Sequence, residues 1–371
     1  MILFLYKAGR RGILESTNGP DEFFYGATGL ARAGLDVATL DSDEIAALAG
    51  AADATRPVGA FWRLARRPLA AALPGFPSVI ASHVFHPAVR ARLAVADTIV
   101  ATTTGFAYAL ALLKATGKLR ARVVALAMGI FADTQPARQK ALFGHLLRQI
   151  ELIALSPAEA AFLRARLPGH TRISSIPFGV DIGFWTPGAV PSGPGEPYVF
   201  AIGNDLQRDW ATLIDAWTHD LPKLKIVTGM PLPPLPANVE AIRGNWHKGG
   251  LSDESIRELY RGASLVVLPI KSTIQPSGQS ACLQAMACAR PVVISDFPGL
   301  WDVERLRDGE TCFLAPSGDA GKLAAAVRGA LMDPARTQAL GLRARRLVEE
   351  RFTSTHMARA FAQVLDIPVA A

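Results

Sequence analysis

A chain of 371 residues, half of them hydrophobic and 19% charged, is long enough for two domains with buried cores, which excludes a disordered or fibrous protein. The net charge of +7, from 39 Lys+Arg against 32 Asp+Glu, is dispersed without a basic run or interleaved aromatics. That pattern sets nucleic acid aside as a partner and leaves phosphate-bearing substrates open.

Cys282, Cys288 and Cys312 have neither disulfide nor metal-ligand spacing and read as small buried hydrophobes in a reducing cytoplasm. The apolar run before Lys7 is too short for a secretory signal core, and the stretch Leu69–Ile80 is broken by Pro74 and Pro77, so no membrane-spanning helix is expected.

In chain order, Ile2–Tyr6 predicts the first strand. The loop after it offers Arg10, Arg11, Asn18 and Gly19 to a ligand, or is an ordinary strand–helix connection, and the pattern then predicts a helix over Asp21–Ala33. Asp36–Leu40 is the next strand. Arg56–Leu73 mixes Phe61 and Trp62 with Arg63, Arg66 and Arg67. It reads as a helix on the domain surface, with a weak peripheral contact to anionic membrane as the second reading. His83 and His86 sit in an apolar segment, where a histidine is usually structural. Thr98–Ala101 is a strand that delivers Thr102, Thr103 and Thr104 to the start of a helix over Thr104–Thr116. Strands over Val123–Ala127 and Leu152–Leu155 and a helix over Pro157–Arg166 complete the first half.

The Pro/Gly-rich stretch Pro187–Pro197 reads as a linker. We place an N-terminal Rossmann-like domain at 1–178 and a C-terminal one at 179–354, with the helix at about 355–371 closing the second domain or packing back on the first. Strands follow at Tyr198–Ile202, Lys225–Thr228, Ser264–Leu268 and Pro291–Ile294, with helices at Asp209–Trp217, Ser252–Arg261 and Gly318–Leu331. The strands are continuous apolar runs, as parallel strands covered on both faces require. The expected class is α/β, two doubly wound sheets facing a central cleft, with ligands at the carboxyl ends of the strands.

Leu268–Asp302 carries the clearest chemistry. A strand ends, Pro276-Ser277-Gly278 turns, and a helix runs to about Cys288. The missing Cβ of Gly278 lets a ligand approach, and the amides of Gln279 and Ser280 stand at the positive end of the helix. The same turn also serves as a plain connection; as a site it suits an anion such as a diphosphate.

The order Pro269, PSGQ, LQAMA, ARPVV resembles the donor-binding signature of glycosyltransferase family 4, which has the GT-B fold, and its turn is similar to that of a PSGQ branch. SIPFGVDIGFWTP from Ser175, FAIGNDLQRDW from Phe200, ELYRGASLVVLP from Glu258 and DGETCFLAPSGD from Asp308 extend the likeness over about 175 to 355. The chain departs from the commoner pattern at two glutamates: Gln284 stands where one holds the donor ribose, and the other falls near Pro276, where Gln275 or Gln279 could take over part of the task.

The resemblance implies transfer of a hexosyl-type sugar from a nucleoside-diphosphate donor (UDP-sugar favoured, GDP-sugar next) to an acceptor hydroxyl. It also implies retention of anomeric configuration, no bound metal, and no cofactor beyond the donor. No ligand cluster with metal spacing and no DxD-like pair at a strand end is visible in the sequence. Arg208 and Lys271 are the catalytic candidates, meeting the leaving diphosphate; Arg208 could instead be a surface arginine at a helix start, and Lys271 a solvated loop lysine. Gly203, Asn204, Ser277, Gly278, Gln279, Ser280 and Gln284 fall on the donor side, with Gln275 beside them. Trp246 could stack on the base or belong to the core. Arg10, Asn18, Gly19, His86, Thr103 and Thr104 are the acceptor-side candidates, and the histidine that family members often place near the last two is absent. A sugar-nucleotide epimerase or hydrolase, and a non-catalytic nucleotide-sugar-binding subunit, are the alternatives. Oligomeric state is left open.

Overall fold

The computed structural model describes residues 1–9, 19–51, 82–130, 137–170, 172–188, 197–244 and 251–368. Arg10, Arg11, Asn18, Trp246 and the basic helix expected over 56–73 therefore lie outside the described residues. The chain divides into two compact units, one formed by Met1–Thr17, Phe24–Ile176 and Ala358–Ala371, the other by Asn18–Phe23 and Pro177–Met357.

The first unit runs β1 (Ile2–Tyr6), α1 (Ala27–Arg32), β2 (Val37–Asp41), α2 (Ser42–Leu48), α3 (Pro87–Leu93), β3 (Thr98–Ala101), α4 (Thr104–Ala115), β4 (Arg122–Leu126), α5 (Ala137–Leu147), β5 (Glu151–Ala154), α6 (Pro157–Arg166) and β6 (Ile173–Ser175). Its six parallel strands lie in the order β2-β1-β3-β4-β5-β6. Every residue of β1 is buried, which is why that strand reads as an unbroken apolar run. The Thr102 hydroxyl donates to the Leu5 carbonyl at 2.8 Å, and Asp41 closes a capping box with Glu44 at the start of α2.

The single helix expected over Asp21–Ala33 is corrected. A 3₁₀ turn at Glu22–Phe24 is followed by Tyr25 and Gly26 at φ 51° and 88°, and α1 begins only at Ala27. Two successive left-handed residues reverse the chain and cannot be continued as an α-helix.

The second unit runs β7 (Tyr198–Ile202), α7 (Trp210–Ala216), β8 (Lys223–Thr228), β9 (Val239–Arg243), α8 (Asp253–Gly262), β10 (Ala263–Leu268), α9 (Gln279–Ala287), β11 (Val292–Asp296), β12 (Phe313–Pro316), α10 (Ala320–Met332) and α11 (Pro334–Arg351). Its strands are again all parallel, in the order β12-β11-β10-β7-β8-β9. The chain winds outward from β7 through β8 to β9, then returns to the other side of β7 for β10. The order therefore reverses between β7 and β10, and a doubly wound sheet leaves a crevice at the carboxyl ends of such a pair. A last helix, α12 (Ser354–Val364), follows, and Arg122 of β4 donates to its Val364 carbonyl and to that of Leu365, both at 2.9 Å.

Among the described residues no helix is long and apolar enough to cross a membrane.

One arginine fastens α11 to the rest of the second unit. Arg345 donates to the carbonyls of Trp185 at 2.6 Å and Ala287 at 2.5 Å, and its Nε meets Glu349 at 2.6 Å. Its side chain is nearly buried. Arg345→Ala orphans two buried carbonyls at once, which should remove about 2–4 kcal/mol of stability. Calorimetry should show the melting temperature falling by roughly 5–10 °C for a unit of this size. A fall under about 2 °C would show that water replaces these bonds at little cost.

Candidate functional site

The crevice between β7 and β10 is built by two loops, residues 203–209 after β7 and 269–278 after β10. They are laced together. Asp209 N donates to the Pro269 carbonyl at 3.0 Å, Lys271 N to that of Gln207 at 2.9 Å, and Arg208 bridges Ile270 in antiparallel fashion. The Ser277 hydroxyl then donates to Asp205 Oδ1 at 2.5 Å, which ties the tip of the second loop to the first.

The triplet Arg208-Asp209-Trp210 divides its work. Asp209 caps α7 through the Thr212 amide and hydroxyl, at 3.2 and 2.7 Å, and Trp210 is buried in the core. Arg208 is left on the loop with its side chain turned inward, only 4% exposed. Its guanidinium lies between two glycines. A Cβ on Gly203 would overlap Arg208 Nε, and one on Gly278 would come within 2.6 Å of Nη1. Both positions are closed to any side chain while Arg208 stays where it is.

Arg208 Nε faces Asp205 Oδ2 at 3.3 Å, yet Nε and Nη1 are buried and make no hydrogen bond. Burial lowers the guanidinium's pKa from its ordinary value, and the Asp205 charge opposes that shift. A buried cation with two unsatisfied donors is costly on its own. An incoming anion with several acceptor oxygens would offset that cost.

Next to it, α9 begins at Gly278, whose φ of +77° is a conformation that L side chains rarely adopt. No side chain caps this helix, and its positive end lies beside Arg208, whose Nη1 a Cβ on Gly278 would approach to 2.6 Å. Gln279 is buried and Ser280 half-buried at that end.

Other candidates are placed differently. Asn204 is engaged within the fold: its Oδ1 accepts from Gly229 N at 2.5 Å and Thr228 Oγ1 at 3.2 Å, and its Nδ2 donates to the Gly244 carbonyl. The Lys271 ammonium is exposed and donates to the Leu206 carbonyl at 3.2 Å. The Gln275 carbonyl accepts from Ser277 N at 2.7 Å and so helps shape the turn before Gly278. Gln284 lies one and a half turns into α9, 7% exposed. Its Nε2 donates to Glu22 Oε1 at 2.9 Å, and its Oε1 accepts from the Tyr260 hydroxyl at 3.2 Å.

In the first unit, Thr103 caps α4 by accepting from Phe106 N at 3.4 Å, and Thr104 opens that helix. His86 precedes α3 and makes no side-chain cap; its Nδ1 is buried without a hydrogen bond. Gly19 is half-buried and belongs to the segment grouped with the second unit.

Sequence reasoning missed Asp205 and Glu22. Asp205 had a local signal, an acid three residues before the arginine it faces. Glu22 had none, because Gln284 is 262 positions away.

Residues 197–333, which span both loops, match the family model described as Glycosyl transferases group 1. The chain is 30% identical over 227 residues to alpha-maltose-1-phosphate synthase of Mycolicibacterium smegmatis, a match covering 53% of this chain and 56% of that protein. It therefore spans little more than half the length of that relative. Two solved structures are similar over nearly the whole chain. Sucrose-phosphate synthase from Thermosynechococcus elongatus aligns with a TM-score of 0.71 at 20% identity, covering 99% of this chain and 98% of that one. Anabaena HepE in complex with UDP and glucose aligns with a TM-score of 0.69 at 17% identity, covering 98% and 99%.

Proposed function

From a chain that has the GT-B fold and carries a glycosyl transferases group 1 domain, we propose a retaining, metal-independent glycosyltransferase that moves a sugar from a UDP-sugar to an acceptor hydroxyl. The observation that carries this reading is the buried Arg208 guanidinium, with two donors unbonded, beside the uncapped start of α9. Two adjoining positive features at a sheet's switch point suit a diphosphate better than a neutral ligand. UDP is favoured because the structurally similar HepE was solved with it.

The glycosidic bond to the diphosphate breaks as the acceptor oxygen bonds the sugar, and the acceptor's proton passes to the leaving phosphate. Negative charge grows on the diphosphate as this happens. Arg208 stabilises that growth with an oriented fork, and Asp205 holds the fork in place. Lys271, exposed on the adjoining loop, adds positive charge at the rim. Thr103, Thr104 and His86 stay the acceptor-side candidates of the first unit.

The test is incubation with UDP-, GDP- and ADP-sugars and mixed acceptors, with products weighed by mass spectrometry. A glycosylated acceptor formed fastest from a UDP-sugar, undiminished by EDTA, is the expected result. Free sugar or an isomerised donor as the sole product would contradict transfer. Turnover lost to EDTA and restored by Mg²⁺ or Mn²⁺ would contradict metal independence.

A further inference from the structure

The second unit holds a buried acid that the mechanism above does not use. Glu22 arrives with the short segment Asn18–Phe23 and is fully buried there. Three donors converge on its carboxyl, two from the turn Asp181–Trp185 and one from α9. Trp185 Nε1 reaches Oε1 at 2.8 Å, Gln284 Nε2 reaches the same oxygen at 2.9 Å, and Asp181 N reaches Oε2 at 3.3 Å.

Two of these donors cannot change role. An indole N–H and a backbone N–H only donate, so both Glu22 oxygens must accept. Whatever side chain stands at position 284 must then offer a donor as well. A glutamine does so with its NH₂. A second carboxylate would face the first at hydrogen-bond distance in a buried site, and one of the two would have to hold a proton or move away. The same reasoning fixes which way the amide is turned. Nε2 faces Glu22, so Oε1 faces Tyr260, whose hydroxyl is within 3.2 Å of it and of the Ala281 carbonyl. Tyr260 is itself clamped edge-on between Trp185 and Phe200, with ring centroids 5.8 and 5.1 Å away.

This network and the anion site share helix α9. Gln284 is on the helix whose start forms that site, and the Tyr260 hydroxyl donates to the Ala281 carbonyl in the first turn of the same helix at 3.2 Å. Of the other charged groups around it, the Asp181 carboxylate turns away to the Gly183 and Phe184 amides, and Arg345 is spent on carbonyls, Trp185's among them.

We propose that Glu22 is a positioning residue for the nucleotide site: it demands an amide at position 284 and sets the face that this amide presents to a bound nucleotide. Gln284 then keeps one N–H and one lone pair of Oε1 for a ribose hydroxyl. The site thus has one acid and one amide in fixed places, and burial raises the pKa of that acid to about 7. The ligand part of this inference rests on the nucleotide reading above; the pairing itself does not.

The test is a cycle of Glu22→Gln, Gln284→Glu and the exchanged double variant in the full chain. Melting temperature and calorimetric affinity for UDP are measured for each, at pH 6 and pH 8. Each single variant should bind UDP at least tenfold more weakly than wild type. The exchanged variant again has one acid and one amide, and should return to within about threefold of wild type. Gln284→Glu alone should lose melting temperature more steeply from pH 6 to pH 8 than wild type does, because its two acids share a proton that rising pH removes. Additive losses in the exchanged variant would overturn the pairing. Restored melting temperature without restored UDP affinity would overturn the positioning role and leave Glu22 as packing. Wild type that melts as expected but does not bind UDP would instead refute the nucleotide reading, and the thermal cycle alone would then decide the pairing.

Discussion

Arg208→Ala should lower both UDP affinity and kcat, the latter by about 30- to 1000-fold, since one charge-assisted contact made to a developing anion is worth roughly 2–4 kcal/mol. Among the described residues the Arg208 guanidinium faces one carboxylate, Asp205, at 3.3 Å. The helix that follows is capped by Asp209, the core position is filled by Trp210, and Arg208 Nε and Nη1 are buried without hydrogen bonds. Removing it also leaves Asp205 beside the diphosphate with no cation to neutralise it, a repulsion added to the lost attraction. Arg208→Lys should recover only part of the rate, because an ammonium cannot reproduce the fork that fits between Gly203 and Gly278. Gln284→Ala should act mainly on donor KM, since ribose hydroxyls do not change charge during transfer. If Arg208→Ala leaves kcat intact while Gln284→Ala removes it, the roles are reversed and Lys271 becomes the leading phosphate ligand.

Gly278→Val is the second large effect, and it should abolish measurable UDP binding while leaving the protein folded. The new Cβ would lie 2.6 Å from Arg208 Nη1 and 2.9 Å from Ile270 Cδ1, so the guanidinium must leave its place. A β-branched residue at φ +77° adds strain of about 1–3 kcal/mol and shifts the start of α9. Arg208 and the helix end are disturbed together, which is why one substitution should remove the whole anion site. Unchanged UDP affinity by calorimetry, with an unchanged circular dichroism spectrum, would mean that the diphosphate does not lie against this turn.

Much of this was legible in the sequence, and what was not has a physical pattern. Nine strands announce themselves as apolar runs, and their positions agree with the structure to within about two residues. The three that do not, β6, β9 and β12, are all sheet edges. Ser175 in β6, or Glu240 and Arg243 in β9, face solvent, so the apolar run that marks a doubly covered strand never forms. The helix over Asp21–Ala33 was overextended because its periodicity says nothing about the backbone of Tyr25, a residue that seldom adopts a positive φ. In the candidate site, the turn at Gly278 and the cation at Arg208 were visible because each sits in a short motif with its own logic. What the sequence hid was long-range. That Arg208 is buried rather than solvated follows from two glycines 75 positions apart, and that Gln284 is half-committed follows from an acid near the other end of the chain.

A crystal structure of the protein with UDP tests the central claim most directly. Diphosphate oxygens are expected within hydrogen-bond distance of Arg208 and of the first-turn amides of α9, with the guanidinium still seated between Gly203 and Gly278. A diphosphate bound elsewhere, with Arg208 unchanged and still without an anionic partner other than Asp205, would contradict it.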